Sequence, residues 1–290
     1  TSAKNLFSQV SYLGGGSFTQ LKTHVQEIGV WNMVDDENVK YHEFDVADYF
    51  FDKHLDSTLD GWKPDTIYHL AALARIQPSF TEPKNTFAAN TIGTQNILEW
   101  ARQNGNIQVV YAGSSSFHCG LYGSPYAWSK FGGEELCRLY SSVYDLPTAI
   151  CRFYNVYGPH QILGSEYAAV IGIWIDQFKK GEPLTITDKG EQRRDFTHVE
   201  DIVDGLSKCG LFINSDKYHS AVNGKEFELG RGVNHSINEV AKLFGEDYPK
   251  KYIPARKGEY DVTLADYSKA QLKLGWKPTK KLEEYIKGVI

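Results

Sequence analysis

The sequence has no continuous apolar stretch near 20 residues, no signal peptide at its amino end and no run of basic residues. We therefore expect no membrane-spanning helix, no secretion and no nucleic-acid partner. Cysteine is scarce, with four in 290 residues, and these four form no close pair and show no metal-ligand spacing. This predicts free thiols in a reducing compartment, a cytoplasmic location and no metal site.

What the chain does contain is typical of a globular protein. Hydrophobic residues make up 41% of the sequence and charged residues 23%, and the formal net charge is −5. Both fractions lie in the ordinary range. A chain of 290 residues is long enough for one large α/β domain or for two small lobes that each bury a core.

Strand-like and helix-like stretches alternate along the first half of the sequence. This alternation predicts an α/β fold with a parallel, doubly wound sheet and right-handed crossovers. Ligands of such sheets bind beyond the carboxyl ends of the strands. The predicted strands are 10–13, 30–34, 39–44, 66–70, 108–112 and 148–153, and the predicted helices are 17–27, 86–104 and 125–144. The strand ends to inspect are Gly14, Asp35, Asp45, Leu70, Gly113 and Phe153.

A tyrosine and a lysine, Tyr126 and Lys130, lie one turn apart at the start of the predicted helix 125–144. Ser124 followed by proline is a typical helix start, and the serine cluster 114–116 ends the preceding strand. The alternative is that these serines only form a polar strand exit. The sequence repeats the spacing at Tyr49 and Lys53, which we interpret as a solvated helical turn.

Several segments, in a fixed order from about residue 14 to about residue 278, resemble the extended short-chain dehydrogenases/reductases, in particular the nucleotide-sugar 4-epimerases. The segments are YHLAA (68–72), NTIGTQNILEWAR (90–102), GSSS (113–116), PYAWSK (125–130), RFYNVYGPHQ (152–161), EYAAVI (166–171), RRDFTHVEDIVDG (193–205) and ADYSKAQLKLGWKP (265–278).

This resemblance implies a Rossmann-like sheet with a smaller C-terminal substrate-binding lobe. The NAD-binding Rossmann domain would comprise residues 1–156 plus about 193–232. The nucleotide-sugar-binding lobe would comprise about 157–192 plus 233–290. The resemblance further implies a homodimer formed through the helices around 86–104 and 126–144.

The catalytic roles implied by the resemblance fall on Ser115, Tyr126 and Lys130. Tyr126 would be the base, Lys130 its partner and a ligand of the cofactor ribose, and Ser115 the hydroxyl that hydrogen-bonds the sugar. Lowering the pKa of a tyrosine from about 10 to about 7 requires roughly 4 kcal/mol. Lys130 together with the positive nicotinamide ring of NAD could supply that energy.

Ligand-binding positions also follow from the resemblance. Asn155 would contact the sugar nucleotide and Arg194 and Arg256 the nucleotide or its phosphates, because a guanidinium fork suits phosphate oxygens. As alternatives, Asn155 caps a turn and the two arginines are surface charges. The substrate-binding set is Ser79, Ser115, Asn155, Arg194 and Arg256. The NAD-binding set is Gly14, Ser17, Phe18, Asp35, Asp36, Asp45, Val46, Leu70, Ala71, Ala72, Asn90, Tyr126, Lys130 and Phe153.

The glycine-rich segment 14–20 departs from the family pattern, because Ser17 and Gln20 stand where glycine is expected. Asp35 or Asp36 follows about 20 residues later, the spacing of a carboxylate that binds the ribose hydroxyls and favours NAD over NADP. We interpret the segment as an NAD-binding loop that departs from the family pattern and binds NAD less tightly. The alternative is a plain glycine turn.

The sequence thus predicts NAD-dependent epimerisation of a nucleotide-activated sugar, at C4, through a transient 4-keto intermediate. The alternatives are a 4,6-dehydratase or a ketoreductase of the same fold, or a binder of nucleotide sugars without catalysis. Related dehydratases carry an acidic residue just after the catalytic serine or threonine, whereas Ser116 and Phe117 follow here. Without that acid, elimination lacks a proton donor.

Overall fold

The computed structural model describes residues 5–8, 45–161, 163 and 168–290. Part of the sequence-based expectation lies outside these residues, namely the strands 10–13, 30–34 and 39–44, the helix 17–27, residues 166–167 of the EYAAVI segment, and Gly14, Ser17, Phe18, Asp35 and Asp36.

Eleven strands occur in the described residues, and five of them form one parallel sheet in the spatial order β1-β2-β3-β4-β9. The parallel sheet expected from the alternating pattern is therefore confirmed, and it includes a strand at 5–8 that the sequence analysis does not predict. The strands are β1 Asn5–Ser8, β2 Thr66–His69, β3 Gln108–Ser114, β4 Thr148–Phe153, β5 Val156–Tyr157, β6 Leu184–Thr187, β7 Arg193–Asp195, β8 Thr197–His198, β9 Lys225–Leu229, β10 Asn234–Ser236 and β11 Lys250–Ile253.

Helices follow most of the strands, as a doubly wound sheet requires. The α-helices are α1 Phe51–Leu59, α2 Ile76–Thr81, α3 Pro83–Phe87, α4 Gly93–Gln103, α5 Pro125–Tyr144, α6 Val170–Lys179, α7 Val199–Ile213, α8 His219–Val222, α9 Ile237–Lys242, α10 Ser268–Leu274 and α11 Leu282–Val289. A π-helical segment, Ala88–Ile92, joins α3 to α4, so the helix predicted at 86–104 is a longer and irregular one. None of the described helices is long and apolar enough to span a bilayer.

Helix α5 begins as its sequence predicts. The Ser124 hydroxyl accepts a hydrogen bond from the backbone N–H of Ala127 at 3.1 Å, and Pro125 occupies the first helical position. Such a side-chain cap satisfies one of the backbone donors that a helix leaves unpaired at its start. The cap fixes where α5 starts and hence where Tyr126 lies.

The two faces of the sheet are buried by different helices. Ile67 of β2 and Val109 of β3 pack on the side of α1, α4 and α5, whereas their neighbours Tyr68 and Val110 pack on the side of α7 and α10. Successive residues of a strand point to opposite faces, so both layers of helices are held by adjacent positions of the same strands. This arrangement is the three-layer α/β architecture of a Rossmann-like domain.

A third core lies away from the sheet and is built around Trp174, Ile186, Phe244 and Ile286 from α6, β6 and the C-terminal helices. These residues belong to the predicted substrate-binding lobe. The segment 270–276, which the prediction also gives to that lobe, packs instead in the core beside the sheet. The proposed domain boundaries stay a prediction.

Cysteines distant in the sequence meet in the fold. The Sγ atoms of Cys151 in β4 and Cys209 in α7 lie 3.5 Å apart, and both thiols are buried and free. The prediction of free thiols is confirmed for these two cysteines, which are far apart in the sequence but adjacent in space. The hydrogen bond between them, together with burial, raises the pKa of the Cys151 thiol well above its usual value, so this thiol is not a nucleophile.

Candidate active site

The predicted catalytic residues gather where the sheet ends. Strands β3 and β4 are paired up to Ser114 and Phe153, and α5 returns along the sheet from the turns that follow β3. Tyr126 and Lys130 therefore stand at the carboxyl edge of a parallel sheet, where ligands of this fold class bind.

The hydroxyl of Tyr126 lies 3.3 Å from Ser114 Oγ and donates a hydrogen bond to it. Ser114 Oγ also accepts hydrogen bonds from the backbone N–H and the hydroxyl of Ser116, at 3.2 and 2.9 Å. Ser115, the serine predicted to bind the sugar, comes next in the chain and begins the 3-10 turn Ser115–Cys119, where it is half-buried. The structure thus gives Ser114 a role at the tyrosine that the sequence analysis did not identify, and Ser115 stays a prediction.

The pKa of Tyr126 is raised above its usual value of 10.0, and burial is the main cause. The hydrogen bond with Ser114 and the positive charge of Arg75 act in the opposite direction and lower it. The lowered pKa that the sequence suggested is therefore not produced by these residues alone. Arg75, in the segment after β2, was missed because the sequence does not show that its charge acts on Tyr126.

Lys130 is buried, with 4% of its surface exposed. Its ammonium group lies over the ring of Tyr111, 4.4 Å from the ring centroid, and forms no ion pair with any residue that the structure describes. Burial lowers the pKa of Lys130 to about 8, although Glu134 opposes this shift. At neutral pH the group is thus charged and available to a ligand.

His69, at the end of β2, is buried and lies close enough to Lys130 for the lysine charge to act on it. Its Nε2 lies 3.0 Å from Thr94 Oγ1, and the Thr94 hydroxyl donates to the Asn90 carbonyl, so Nε2 is the donor of the pair. Burial and then the charge of Lys130 lower the pKa of His69 to about 3. The ring therefore stays neutral at physiological pH.

The predicted cofactor-binding residue Asn90 connects two parts of the site. Its Oδ1 accepts from the Leu73 N–H at 2.8 Å, and its Nδ2 donates to the Leu73 carbonyl and to Ser129 Oγ. These bonds fix the loop that follows β2 against α5. The loop carries Leu70 and Ala72, which are half-buried, and Ala71, which is buried.

Three further predicted cofactor-binding residues lie in the described part of the chain, namely Asp45, Val46 and Phe153. Asp45 is exposed and its carboxylate accepts the Ala47 N–H at 2.9 Å. Val46 is buried against Gly93, where a Cβ atom would come within 2.6 Å of Val46 Cγ2. Phe153 ends β4 and is half-buried.

Asn155 follows β4 and adopts a positive φ of 25°. Its Nδ2 donates to the Asp195 carbonyl at 2.8 Å and to Thr263 Oγ1 at 3.3 Å. No described residue donates to its Oδ1, so this oxygen can accept a hydrogen bond from a ligand. The carboxylate of Asp195 in turn accepts three backbone N–H groups, from Arg231, Gly232 and Ala265.

The other predicted substrate-binding residues differ in accessibility. Arg194 is half-buried and donates to the Arg193 carbonyl at 3.0 Å, whereas Arg256 is exposed. Ser79 is buried and its hydroxyl donates to the Ile76 carbonyl at 2.6 Å, within its own helix. The structure therefore brings Ser114 and Tyr126 into contact, places Lys130 one turn further along α5, and buries Ser79. No group of three or more acidic, histidine or cysteine side chains suited to a metal occurs in the described residues.

A family model described as GDP-mannose 4,6 dehydratase matches residues 17–289. The chain belongs to this family. The resemblance to extended short-chain dehydrogenases/reductases is confirmed, and the protein is an enzyme of the nucleotide-sugar epimerase and dehydratase group.

Similar proteins carry related names. A UDP-glucose 4-epimerase of Mycolicibacterium smegmatis is 30% identical over 275 residues, 88% of this chain and 84% of that protein. A UDP-glucuronate 4-epimerase of Thermodesulfobacterium geofontis is 30% identical over 88% of this chain and 79% of its own length. The fold is also that of a Bacillus cereus UDP-glucuronic acid 4-epimerase, solved with UDP-glucuronic acid and NAD. That structure has a TM-score of 0.77 at 24% identity and covers 92% of this chain and 84% of that chain.

Proposed function

We propose that this family member is an NAD-dependent nucleotide-sugar 4-epimerase. The observation that carries the proposal is the hydrogen bond between Tyr126 and Ser114 at the carboxyl edge of the sheet, with Lys130 buried one turn further along α5. This arrangement provides a proton acceptor, a hydroxyl and a cation on rigid elements.

NAD fits the residues that would hold it. A buried ammonium group without an ion pair is costly unless a ligand supplies acceptors, and the ribose hydroxyls of NAD would do so at Lys130. Leu70, Ala71 and Ala72 form an apolar strand exit beside it. NAD-bound structures of this fold, such as the B. cereus enzyme, support the same assignment. When bound, NAD supplies reversible hydride acceptance.

The chain's own residues would handle the proton. Tyr126 takes the proton from the sugar C4 hydroxyl onto its phenolic oxygen, and Ser114 and Ser115 hold the reacting oxygens by hydrogen bonds. Lys130 and Arg75 favour the anionic form of the phenol because both carry positive charge. Asn155 Oδ1 and the guanidinium groups of Arg194 and Arg256 would bind the sugar nucleotide and its phosphates.

The two residues after Ser115 support epimerisation over elimination, because related dehydratases carry an acidic residue there and this chain does not. Phe117 lies against the guanidinium of Arg152, whose carbon is 3.7 Å from the ring centroid, and Ser116 is hydrogen-bonded to Ser114. Neither side chain can protonate a leaving hydroxyl as a carboxylic acid does. A dehydratase would need another acid in their place.

We also propose a homodimer in the cytoplasm. Helix α5 and the π-helical segment leave apolar side chains exposed to solvent, which is unusual unless another surface covers them. These side chains are Ile92, Trp128, Leu139, Val143 and Tyr144. Light scattering of the purified protein tests the oligomeric state.

The proposal is tested by incubating the protein with saturating NAD and, separately, UDP-glucose, UDP-galactose, their N-acetyl forms and GDP-mannose. We expect inversion at C4 of at least one of them, without accumulation of NADH. Tyr126→Phe should lower kcat by a factor of 10² to 10⁴. Tyr49→Phe is the matched control, since it has the same spacing to a lysine but is 92% exposed and lies outside the site.

Two results would contradict the proposal. Accumulation of a keto sugar or of NADH would instead indicate a dehydratase or a reductase. Absence of turnover with all five sugars, together with binding that Tyr126→Phe leaves unchanged, would indicate a non-catalytic binder.

A further inference from the structure

The turn Ser115–Cys119, which carries the predicted sugar-binding hydroxyl, is attached to the sheet by two of its side chains. The Phe117 ring lies under the guanidinium of Arg152. His118 Nε2 is in hydrogen-bond contact with Glu228 Oε1 of β9, and the two side chains are 46% and 13% exposed. Phe117 and His118, which make these two contacts, therefore lie only two and three residues after Ser115.

The partners of the turn are themselves held by further hydrogen bonds and ion pairs. Arg152 donates to Glu134 through Nε and Nη2, with a shortest distance of 2.8 Å, and its Nη1 lies 3.8 Å from Glu228. The second carboxylate oxygen of Glu228 accepts the Asp266 N–H at 2.8 Å. Glu228 thus has a fixed position, and a side chain bonded to it is fixed as well.

Glu228 also remains ionised. Burial raises the pKa of this carboxyl, but hydrogen bonds from His118 and the Asp266 N–H outweigh burial and bring the pKa below its usual value. A carboxylate that accepts several hydrogen bonds stays charged in this way. His118 therefore faces a permanent negative charge.

The two ends of the turn are held differently. At its start, Ser114 accepts the Ser116 N–H and keeps the first residues in place. At its end comes Gly120, with a φ of +98° and no atom within 4 Å of the position that a Cβ would occupy. Glycine in this conformation is a point where the chain can pivot, so packing around Gly120 does not hold the turn.

Taking the proposed function as given, we propose that His118 is a positioning residue that, through its contact with Glu228, holds the Ser115 hydroxyl in place in the active site. Displacements of about 1 Å in a catalytic group can cost on the order of a hundredfold in rate. A loosened turn should therefore slow the chemical step without weakening the binding of ligands that contact other elements.

The test compares wild type, His118→Ala and His118→Gln in the presence of NAD and whichever of the five nucleotide sugars the wild type converts. We expect His118→Ala to lower kcat about tenfold or more, with KM within twofold of wild type. His118→Gln keeps a donor for Glu228 and should restore kcat to within about threefold. Hydrogen–deuterium exchange of the backbone over residues 113–121 should be faster in His118→Ala and near the wild-type rate in His118→Gln.

His54→Ala is the matched control, because His54 pairs with Asp48 at 3.1 Å on the surface, away from this turn, and should change none of these readouts. A kcat within twofold of wild type in His118→Ala, or exchange over 113–121 that does not change, would overturn the positioning role. So would a loss of kcat that His118→Gln does not restore. Should wild type convert none of the sugars, the proposed function fails, and the exchange rates alone then decide whether His118 holds the turn.

Discussion

Two buried cations on neighbouring elements differ in their ion-pair partners. Arg152 in β4 and Lys130 in α5 are 5% and 4% exposed. Arg152 is matched by Glu134, which is almost fully buried, by Glu228, and by the ring of Phe117. Lys130 forms no ion pair with a described residue: its ammonium group lies over the ring of Tyr111, and the charge of Glu134 acts on it without direct contact. The same fold therefore pairs one buried cation directly with carboxylates and leaves the other without an ion pair.

This difference distinguishes a structural cation from a functional one. A buried ion pair with good hydrogen bonds is retained by the native state because removal of one partner leaves an unpaired charge. A buried cation without a partner lowers stability and persists only if a ligand makes use of it. The contrast agrees with a structural role for Arg152 and with the cofactor-binding role proposed for Lys130.

The largest effect is expected from Lys130→Met. Because this substitution removes the group that would bind the ribose and favour the anionic tyrosine, kcat/KM for the nucleotide sugar should fall about a thousandfold or more, equivalent to roughly 4 kcal/mol. Steady-state assays with saturating NAD measure this. Lys53→Met, at the solvated copy of the same spacing, should leave kcat/KM within twofold. A comparable loss of kcat/KM in Lys53→Met and Lys130→Met would contradict a functional role specific to Lys130.

Arg152→Leu should act on stability instead. The substitution removes the main partner of Glu134, which is 1% exposed and keeps the longer contact with Arg138 at 3.5 Å, so the free energy of unfolding should fall by about 3 kcal/mol. Urea unfolding followed by circular dichroism measures it. The double variant Arg152→Leu/Glu134→Leu should recover much of this loss, because it removes both charges. If the single variant were as stable as wild type, the ion pair would have no structural role.

The cost of the unpaired lysine should appear in the pH dependence of stability. The pKa of Lys130 is about 8 in the folded protein against 10.5 for the free side chain. Below pH 8 Lys130 is protonated in both the folded and the unfolded state, so folding of wild type includes the full free-energy cost of burying the ammonium group. Between pH 8 and 10.5 the folded state releases its proton first, so the free energy of unfolding of wild type rises relative to that of Lys130→Met. At 1.36 kcal/mol per unit, this relative gain is about 3 kcal/mol.

The measurement is urea unfolding of the two proteins without cofactor at pH 7 and pH 10.5. Lys130→Met should be the more stable protein at pH 7, and its advantage should shrink by about 3 kcal/mol at the higher pH. Tyrosines that ionise in this range affect both proteins and cancel in the difference. An advantage that does not depend on pH would mean that Lys130 carries no buried charge.

Much of the architecture could be predicted because it depends on local signals. The Ser124–Pro125 cap gives the start of α5, and apolar strands such as 148–153 can be recognised from composition alone. Helix α5 and strand β4 accordingly have the predicted bounds. The motif order then placed Tyr126 and Lys130 at the edge of the sheet.

Tertiary contacts explain what could not be predicted. The sequence does not show that Cys151 meets Cys209, that Tyr126 donates to Ser114, or that burial outweighs nearby charge at the tyrosine. Each of these depends on distances between elements far apart in the chain. The same is true of Glu228, whose contact with His118 spans 110 residues.

The smallest effect is expected at Gly113, which makes room for the paired cation. A Cβ atom at this position would lie 2.8 Å from Glu134 Oε1 and 3.2 Å from Arg152 Cγ, inside a packed ion pair. Gly113→Ala should therefore lower the free energy of unfolding by about 2 kcal/mol, the usual cost of overpacking, as urea unfolding can measure. Gly288→Ala, with no atom within 4 Å, should cost nothing. Equal stability of the two variants would mean that the Arg152–Glu134 ion pair can shift without cost. Arg152 would then not serve as a fixed support for Glu228 and the turn that carries His118.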